Sequence, residues 1–213
     1  MSNTPPNTTR PAVDLAKASL SDRYTQASGT VFLSGNQALV RLPLQQQLRD
    51  EAAGLHTSGF ISGYRGSPLG RYDMELWSVK ALLEKHRIKF MPGVNEDLAA
   101  TAVWGTQHAG NTAAATTEGV VGYWYGKGPG VDRSGDVFRH ANLAGTNAKG
   151  GVLAFVGDDH AAKSSTTSSQ SDHALIAASI PVLAPSNVQE ILDFGQIGVA
   201  MSRFAGCWVA MKL

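Results

Sequence analysis

The chain has 213 residues, of which 43% are hydrophobic and 16% charged, and its formal net charge is +1. This length predicts one sizeable domain with its own core, and the near-neutral charge disfavours nucleic acid or an anionic membrane as a partner. The single cysteine, Cys207, excludes an internal disulfide framework and an iron–sulfur cluster ligated by this chain alone. Since no apolar run approaches the roughly 20 residues of a membrane span, we expect a cytoplasmic protein.

The two ends of the chain differ in character. Residues 1–22 are rich in Ser, Thr, Asn and Pro, which predicts a flexible segment ahead of a globular domain over residues 23–213. Residues 206–213 are typical of a buried strand, and the chain ends inside that strand. We therefore expect the domain to be truncated, with a longer polypeptide continuing beyond Leu213.

Predicted helices and strands alternate along the chain, which indicates an α/β fold with a mostly parallel sheet and helices on both faces. Pro43 either kinks the first helix or starts a second one. Residues 126–130 are predicted to form a simple loop. Helices are predicted over residues 37–53, 73–85, 132–144, 171–179 and 186–200 and from residue 96, and strands over residues 57–64, 89–92, 119–125, 151–157, 181–183 and 206–213.

Three loops should gather where the strands end, because ligands bind at the carboxyl ends of parallel strands. These loops are residues 63–70, 92–97 and 157–170. The first combines glycines with a hydroxyl and a guanidinium, so it could hold a phosphate, a carboxylate or a ring. It matches neither the phosphate-binding loop pattern nor the dinucleotide fingerprint, and a simple turn is the alternative.

An acidic residue stands at the start of one predicted helix. Asn95 can cap that helix, and Glu96 and Asp97 suit its positive N-terminal end. The Ala, Thr and Gly residues behind them let a large group pack against the backbone. The pattern predicts that Glu96 is a buried acid that binds a ligand nitrogen or carries a proton, and the alternative is a solvent-facing acid in a capping box.

Residues 158–165 contain two aspartates, a histidine and a lysine after the clearest strand. They can be interpreted as metal ligands, as a base with its partner, or as a solvated loop. Magnesium would need further oxygen ligands, and no histidine pair has the helical four-residue spacing of a zinc site. No metal site is therefore predicted.

Four segments together resemble the N-terminal part of the indolepyruvate ferredoxin oxidoreductases in their long, single-chain bacterial form. That group belongs to the 2-oxoacid:ferredoxin oxidoreductases. The resemblance covers about residues 25–213 and implies the pyrimidine-binding domain of a thiamine diphosphate enzyme. Its main motifs are GYRGSPLG at residues 63–70, GVNEDLA at 93–99, KGPGVDRSGD at 127–136 and GDDHAAKSST at 157–166.

The resemblance also implies roles for individual residues. Glu96 matches the catalytic glutamate that contacts the aminopyrimidine ring nitrogen of the cofactor and promotes removal of the thiazolium proton. The loop hydroxyl near the cofactor falls on Ser67, where many relatives have threonine. The neighbouring Gly66 and Arg65 are expected beside the cofactor, and the residues expected to face the substrate are His160, Lys163 and Ser164.

The implied activity is oxidative decarboxylation of indolepyruvate or other aryl pyruvates with coenzyme A to aryl acetyl-CoA, carbon dioxide and reduced ferredoxin. Mg²⁺ and [4Fe-4S] clusters would belong to diphosphate-binding and iron–sulfur domains or subunits outside this chain. The chain alone is therefore expected to be inactive, and the enzyme to be a homodimer. The alternatives are a non-catalytic assembly or regulatory domain, or a decayed gene fragment.

Overall fold

The computed structural model describes residues 18–213. The chain divides into two units, one ending at Phe32 and the other spanning Leu33–Leu213. Within the first unit, the described residues form one short helix, α1 (Asp22–Thr25). The predicted flexible segment, residues 1–22, lies outside the described residues except for residues 18–22.

The second unit is built on a six-stranded sheet in which all strands are parallel, in the order β2-β1-β3-β4-β6-β5. This confirms the predicted α/β fold. The strands are β1 (Thr57–Gly63), β2 (Ile88–Phe90), β3 (Gly119–Lys127), β4 (Val152–Gly157), β5 (Val182–Leu183) and β6 (Trp208–Lys212). The helices are α2 (Gly35–Ala52), α3 (Tyr72–Ser78), α4 (Lys80–Lys85), α5 (Glu96–Thr106), α6 (Gly128–Arg133), α7 (Gly135–Ala144), α8 (Asp172–Ala177) and α9 (Val188–Ala205), with a 3-10 turn at Ala109–Asn111.

Helices cover both faces of the sheet. On one face α2 packs against β1 and α9, and α9 packs against β4 and β6. On the other, α5 and α7 close a core in which Phe138 makes edge contacts with Trp124 and a tilted contact with Trp208. Burying a side chain such as Phe138 contributes about 1.5–3 kcal/mol to folding, so this packing holds β3 and β6 in place. No helix within residues 18–213 combines the length and apolar character that a membrane crossing needs.

Helix α2 runs unbroken through Pro43. Its start is a capping box, in which the Ser34 hydroxyl accepts from the Gln37 amide and the Gln37 side chain accepts from the Ser34 amide. Pro43 cannot donate to the Leu39 carbonyl one turn earlier, and the Tyr72 hydroxyl donates to that carbonyl instead, at 3.5 Å. The alternative in which Pro43 starts a second helix is therefore wrong.

Several boundaries differ from the sequence prediction, and the differences around residues 79 and 128 change the elements themselves. The helix predicted over residues 73–85 is divided at Val79, whose backbone leaves the helical conformation between α3 and α4. The predicted loop over residues 126–130 is wrong, because β3 continues to Lys127 and α6 begins at once at Gly128. Pro129 permits this, since the amides of the first helical turn need no partner within the helix.

A buried ion pair connects α2, α9 and the first residue of β1. Asp50 of α2 accepts hydrogen bonds from both terminal nitrogens of Arg203 of α9, at 2.8 and 2.7 Å, and from the Thr57 hydroxyl of β1 at 2.7 Å. Burial by itself raises the pKa of Asp50, but the hydrogen bonds from Arg203 and Thr57 outweigh it and the pKa lies below its usual value. The pair therefore favours folding most when the carboxylate is ionised.

We expect Asp50→Ala to lower the free energy of unfolding by about 3–5 kcal/mol at neutral pH, because it leaves the Arg203 guanidinium buried without its partner. Because the folded-state pKa of Asp50 is lowered, its contribution is complete above the unfolded pKa of about 3.9 and is lost as the pH falls through the folded value. Urea unfolding of both proteins at several pH values measures this. The matched control is Asp193→Ala on the exposed surface of α9, and a similar loss in both variants would contradict the role of the pair.

Candidate active site

An open cleft of about 800 Å³ lies where the parallel strands end. The chain leaves β1 for β2 on one side and later returns to β3 on the other, so the loops that follow β1 and β3 diverge at this point of the sheet. All three loops that the sequence predicted to gather contribute to it. The lining residues are Asn36, Tyr64, Arg65, Gly66, Ser67, Pro68, Gly70, Arg71, Glu96, Lys127, Pro129, Lys163, Ser164 and Ser165.

Glu96 is the first residue of α5, and its backbone is held from two sides. The Asn95 side chain accepts a hydrogen bond from the Leu98 amide at 2.9 Å and so caps the helix, as predicted. The Trp124 indole of β3 donates to the Glu96 carbonyl at 3.0 Å. The first turn of α5 is thereby fixed to the central strand of the sheet.

The Glu96 side chain extends into the cleft beside Gly130 of α6. A Cβ atom at residue 130 would lie 2.5 Å from Glu96 Cγ and 2.9 Å from Oε1, so only glycine leaves room for the carboxylate in this position. Glu96 is half-buried, and the prediction of a buried acid is wrong because the cleft is open to solvent. Among residues 18–213 no protein group donates a hydrogen bond to its carboxylate, so both oxygens are available to a ligand.

The glycine loop after β1 forms a second wall of the cleft. Gly66 lies directly on the Lys127 side chain, since a Cβ atom there would be 2.6 Å from Lys127 Cδ. The Ser67 amide donates to the Ser164 hydroxyl at 3.1 Å, which joins this loop to the loop after β4. Arg65 lies at the rim, with 73% of its side chain exposed and Nη1 4.0 Å from Asp73 Oδ2.

Lys127, Asp159 and Ser164 form a network that the sequence did not predict. Lys127 Nζ lies 3.4 Å from Asp159 Oδ2 and donates to the Ser164 hydroxyl at 2.7 Å. The Ser164 amide donates to Asp159 at 3.2 Å. The backbone amide of Lys163, together with that of Ser164 and the Lys127 ammonium, lowers the pKa of Asp159, and burial opposes this effect only in part. Asp159 is therefore a stable anion that pairs with a buried cation.

The two aspartates after β4 are buried and hydrogen-bonded, so the interpretation of this segment as a solvated loop is wrong for them. Asp158 accepts from the amide and hydroxyl of Ser171 at 3.1 and 2.6 Å, and this orders the loop ahead of α8. Within the described part of the chain, no group of three or more His, Cys, Asp or Glu side chains is placed to hold a metal ion.

The cleft brings together most of the residues that the sequence nominated. Lys163 lies in its lining without a hydrogen bond from its ammonium to the described residues, whereas His160 is exposed and lies outside the lining. The functional roles of all these residues stay predictions. Sequence reasoning missed Lys127, although a lysine that ends an otherwise uncharged strand directly before Gly-Pro-Gly is a usable signal. The predicted residues in the lining are Arg65, Gly66, Ser67, Glu96, Lys163 and Ser164.

The lining carries more positive than negative charge. Arg65, Arg71, Lys127 and Lys163 are cationic and Glu96 is the anion among them, while Asp159 offsets the charge of Lys127 from behind the lining. Convergent cations in a concave site raise the local concentration of anions. The cleft is therefore suited to a ligand that combines a negatively charged group with a group that can bind the Glu96 carboxylate.

Three archaeal proteins, each named indolepyruvate oxidoreductase subunit IorA, are similar to this chain. The protein of Methanothermobacter marburgensis is 28% identical over 165 residues, which is 77% of this chain and 23% of that subunit. Those of Methanothermobacter thermautotrophicus and Pyrococcus horikoshii are each 27% identical over 183 residues, 85% of this chain and 26% and 24% of the subunits. No family model matches the chain.

This chain is a distant homologue of the IorA subunits. The relationship to the indolepyruvate oxidoreductases that the motifs predicted is thereby confirmed. The homologous region is only part of each relative, because the chain spans about a quarter of the length of these curated proteins. That the chain comes from the long, single-chain form stays a prediction.

The contact between Gly130 and Glu96 can be tested without any ligand. We expect Gly130→Ala to displace the Glu96 side chain while lowering the free energy of unfolding by no more than about 1–3 kcal/mol, because the added methyl group meets a side chain and not the backbone. A crystal structure of the variant together with urea unfolding measures both effects. Gly105→Ala in α5 is the control, since a Cβ atom there meets nothing within 4 Å and should leave Glu96 in place. An unmoved Glu96 in Gly130→Ala would contradict the role of Gly130.

Proposed function

We propose that this chain is the N-terminal, pyrimidine-binding part of a thiamine diphosphate-dependent 2-oxoacid oxidoreductase. The observation that carries the proposal is the Glu96 carboxylate, which lies in the cleft with no hydrogen bond from the described protein. The homology to the IorA subunits supports the same class of enzyme. The parallel sheet with a cleft at its switch point agrees with the pyrimidine-binding fold that the sequence predicted.

The residues present fit the pyrimidine half of the cofactor. A cleft of about 800 Å³ is within the range of roughly 300–1,000 Å³ of small-molecule sites. Its acid, Glu96, accepts no hydrogen bond from the described part of the chain, and Gly130 leaves space beside that acid. Thiamine diphosphate, when bound, supplies the carbon nucleophile that attacks the 2-oxoacid. Within this chain, the residues that would hold it are Glu96, Ser67, Gly66 and Arg65.

Glu96 is the proposed catalytic residue of this chain. Its carboxyl group would hold and exchange a proton at the aminopyrimidine ring nitrogen, which is general acid–base catalysis by a positioned side chain. The hydrogen bond from Trp124 to the Glu96 backbone and the Asn95 cap fix the residue that carries this group. The Ser67 hydroxyl and the Gly66 backbone would form the wall against which the ring lies.

The proposed reaction is oxidative decarboxylation of indolepyruvate or other aryl pyruvates with coenzyme A, giving aryl acetyl-CoA, carbon dioxide and reduced ferredoxin. His160, Lys163 and Ser164 are proposed to face the substrate. Mg²⁺ with the diphosphate and the [4Fe-4S] clusters would be bound by other domains or subunits of the same enzyme. This division follows the resemblance to the oxidoreductases, and the single cysteine of the chain agrees with it for the clusters. The complete enzyme, with these parts present, would be a homodimer.

The 213-residue chain alone should bind thiamine diphosphate only weakly. The diphosphate and its Mg²⁺ supply most of the charge-assisted contacts of such a cofactor, and their ligands are assigned to other parts of the enzyme. Calorimetric titration with thiamine diphosphate and MgCl₂ measures the affinity. We expect no submicromolar binding, and such binding would mean that this chain contains a complete diphosphate site.

In the complete enzyme, Glu96→Gln should lower turnover by on the order of 100-fold or more, because the amide keeps the size of the side chain but cannot exchange a proton. The measurements are reduction of ferredoxin or viologen with indolepyruvate and coenzyme A, and deuterium exchange at the thiazolium carbon of bound cofactor. The fold should be retained in circular dichroism.

The matched control for Glu96→Gln is Asp97→Asn. Asp97 lies in the same helical turn and pairs with Arg133 at the surface. Asp97→Asn should therefore lower the free energy of unfolding by only about 0.3–1 kcal/mol and leave turnover unchanged. If Glu96→Gln matches Asp97→Asn in both turnover and exchange, Glu96 has no catalytic role.

A further inference from the structure

The Ser164 hydroxyl accepts two hydrogen bonds, and its own hydrogen is left to donate. Its oxygen accepts from Lys127 Nζ at 2.7 Å and from the Ser67 amide at 3.1 Å. A serine hydroxyl has two acceptor lone pairs and one hydrogen, so these two bonds occupy both lone pairs. Among residues 18–213 no hydrogen bond donated by this hydroxyl is found, and Ser164 is an exposed residue of the cleft lining. The Ser164 oxygen is held in place by its two donors, and its hydroxyl hydrogen can be donated to a ligand in place of water.

Lys127 is a second donor at the same place. Its side chain is only 8% exposed, yet it contributes to the lining of the cleft. An ammonium has three hydrogens, of which Ser164 and Asp159 take one each, the latter at a long 3.4 Å. Burying a cation with incomplete hydrogen bonding is costly, so a further acceptor beside Lys127 would be favourable.

The two donors are held in place before any ligand arrives. Asp159 binds the Lys127 ammonium and the Ser164 amide at once, and Gly66 packs against the lysine stem. Neither side chain has to be ordered on binding, which removes part of the cost of association. The two donors lie side by side, because Lys127 Nζ and the Ser164 oxygen are 2.7 Å apart.

We propose that the Ser164 hydroxyl and the Lys127 ammonium form a subsite for the carboxylate of an organic acid. Two donors match the two oxygens of a carboxylate, and charge-assisted hydrogen bonds of this kind are strong. Asp159 already offsets the charge of Lys127, so the subsite suits a monoanion better than a diphosphate group, which normally needs several amides or a metal ion. The subsite rests on the proposed function only for the choice of an aryl 2-oxoacid as its occupant.

The test is an NMR titration of the 213-residue chain with phenylpyruvate and with its methyl ester, in the absence of thiamine diphosphate. We expect the acid to shift the Ser67 and Ser164 amide resonances and to bind at least about tenfold more tightly than the ester. Ser164→Ala should weaken binding of the acid by about tenfold and reduce the preference over the ester, while Lys127 remains as the second donor. Ser168→Ala, an exposed serine of the same loop, is the control and should bind like the wild type within about twofold.

Several results would overturn the subsite. These are equal binding of acid and ester by the wild type, unchanged binding in Ser164→Ala, or no shift of the Ser67 and Ser164 amides with phenylpyruvate. A parallel titration with inorganic diphosphate separates the two sources of oxyanion, because a loss confined to diphosphate in Ser164→Ala would make this a phosphate site. If Ser164→Ala fails to fold in circular dichroism, Lys127→Gln replaces it with the same expected loss. None of these readouts involves Glu96 or turnover, so their failure is distinct from failure of the proposed function.

Discussion

The pairing of β1 with β3 is the constraint on which the rest of the molecule depends. The two strands run in parallel register from Thr57 beside Gly119 to Gly63 beside Tyr125, while β2 occupies the outer edge of β1. At the end of this pairing a Cβ atom at Gly63 would lie 2.1 Å from the Tyr125 carbonyl oxygen, so glycine is needed for the strands to remain this close. Beyond that point their loops separate, and the cleft forms between them.

For Glu96 and Lys127 in the cleft, the number of protein hydrogen-bond partners follows how deeply each side chain is buried. Glu96 is half-buried and in contact with solvent, and its carboxylate accepts no hydrogen bond from residues 18–213. Lys127 is almost completely buried and is accompanied by Asp159 and Ser164, as the cost of burying an isolated charge requires. One wall of the cleft therefore carries an acid that accepts no hydrogen bond from residues 18–213, and another carries a cation paired with Asp159 beside the Ser164 hydroxyl. A ligand with a ring nitrogen could bind the Glu96 carboxylate, and an organic acid bound beside it could place its carboxylate at Lys127 and Ser164.

Rigid elements surround these groups. The α5 helix that carries Glu96 is tied to β3 through Trp124, and the loop with Ser164 is tied to β3 through Lys127. On the other face of the sheet, Asp50 and Arg203 join α2 to α9. Positioning by packed helices and strands leaves little side-chain entropy to be lost when a ligand binds. The chain is a distant homologue of the IorA subunits and spans about a quarter of their length. Within these residues the side chains of the cleft are already held in place.

The sequence by itself determined the elements and the place of the site. Alternation of strands and helices and the Asn95 cap are local patterns, and a parallel sheet necessarily brings its carboxyl ends to one edge. The four motifs likewise predicted the relationship to the indolepyruvate oxidoreductases before any comparison. Only the tertiary structure decided that Glu96 is half-buried, that α6 begins directly at Gly128, and that His160 lies outside the cleft. It also decided the meeting of Lys127 with Asp159 and Ser164, which are 32 and 37 residues away along the chain, because such contacts depend on strand order and loop packing.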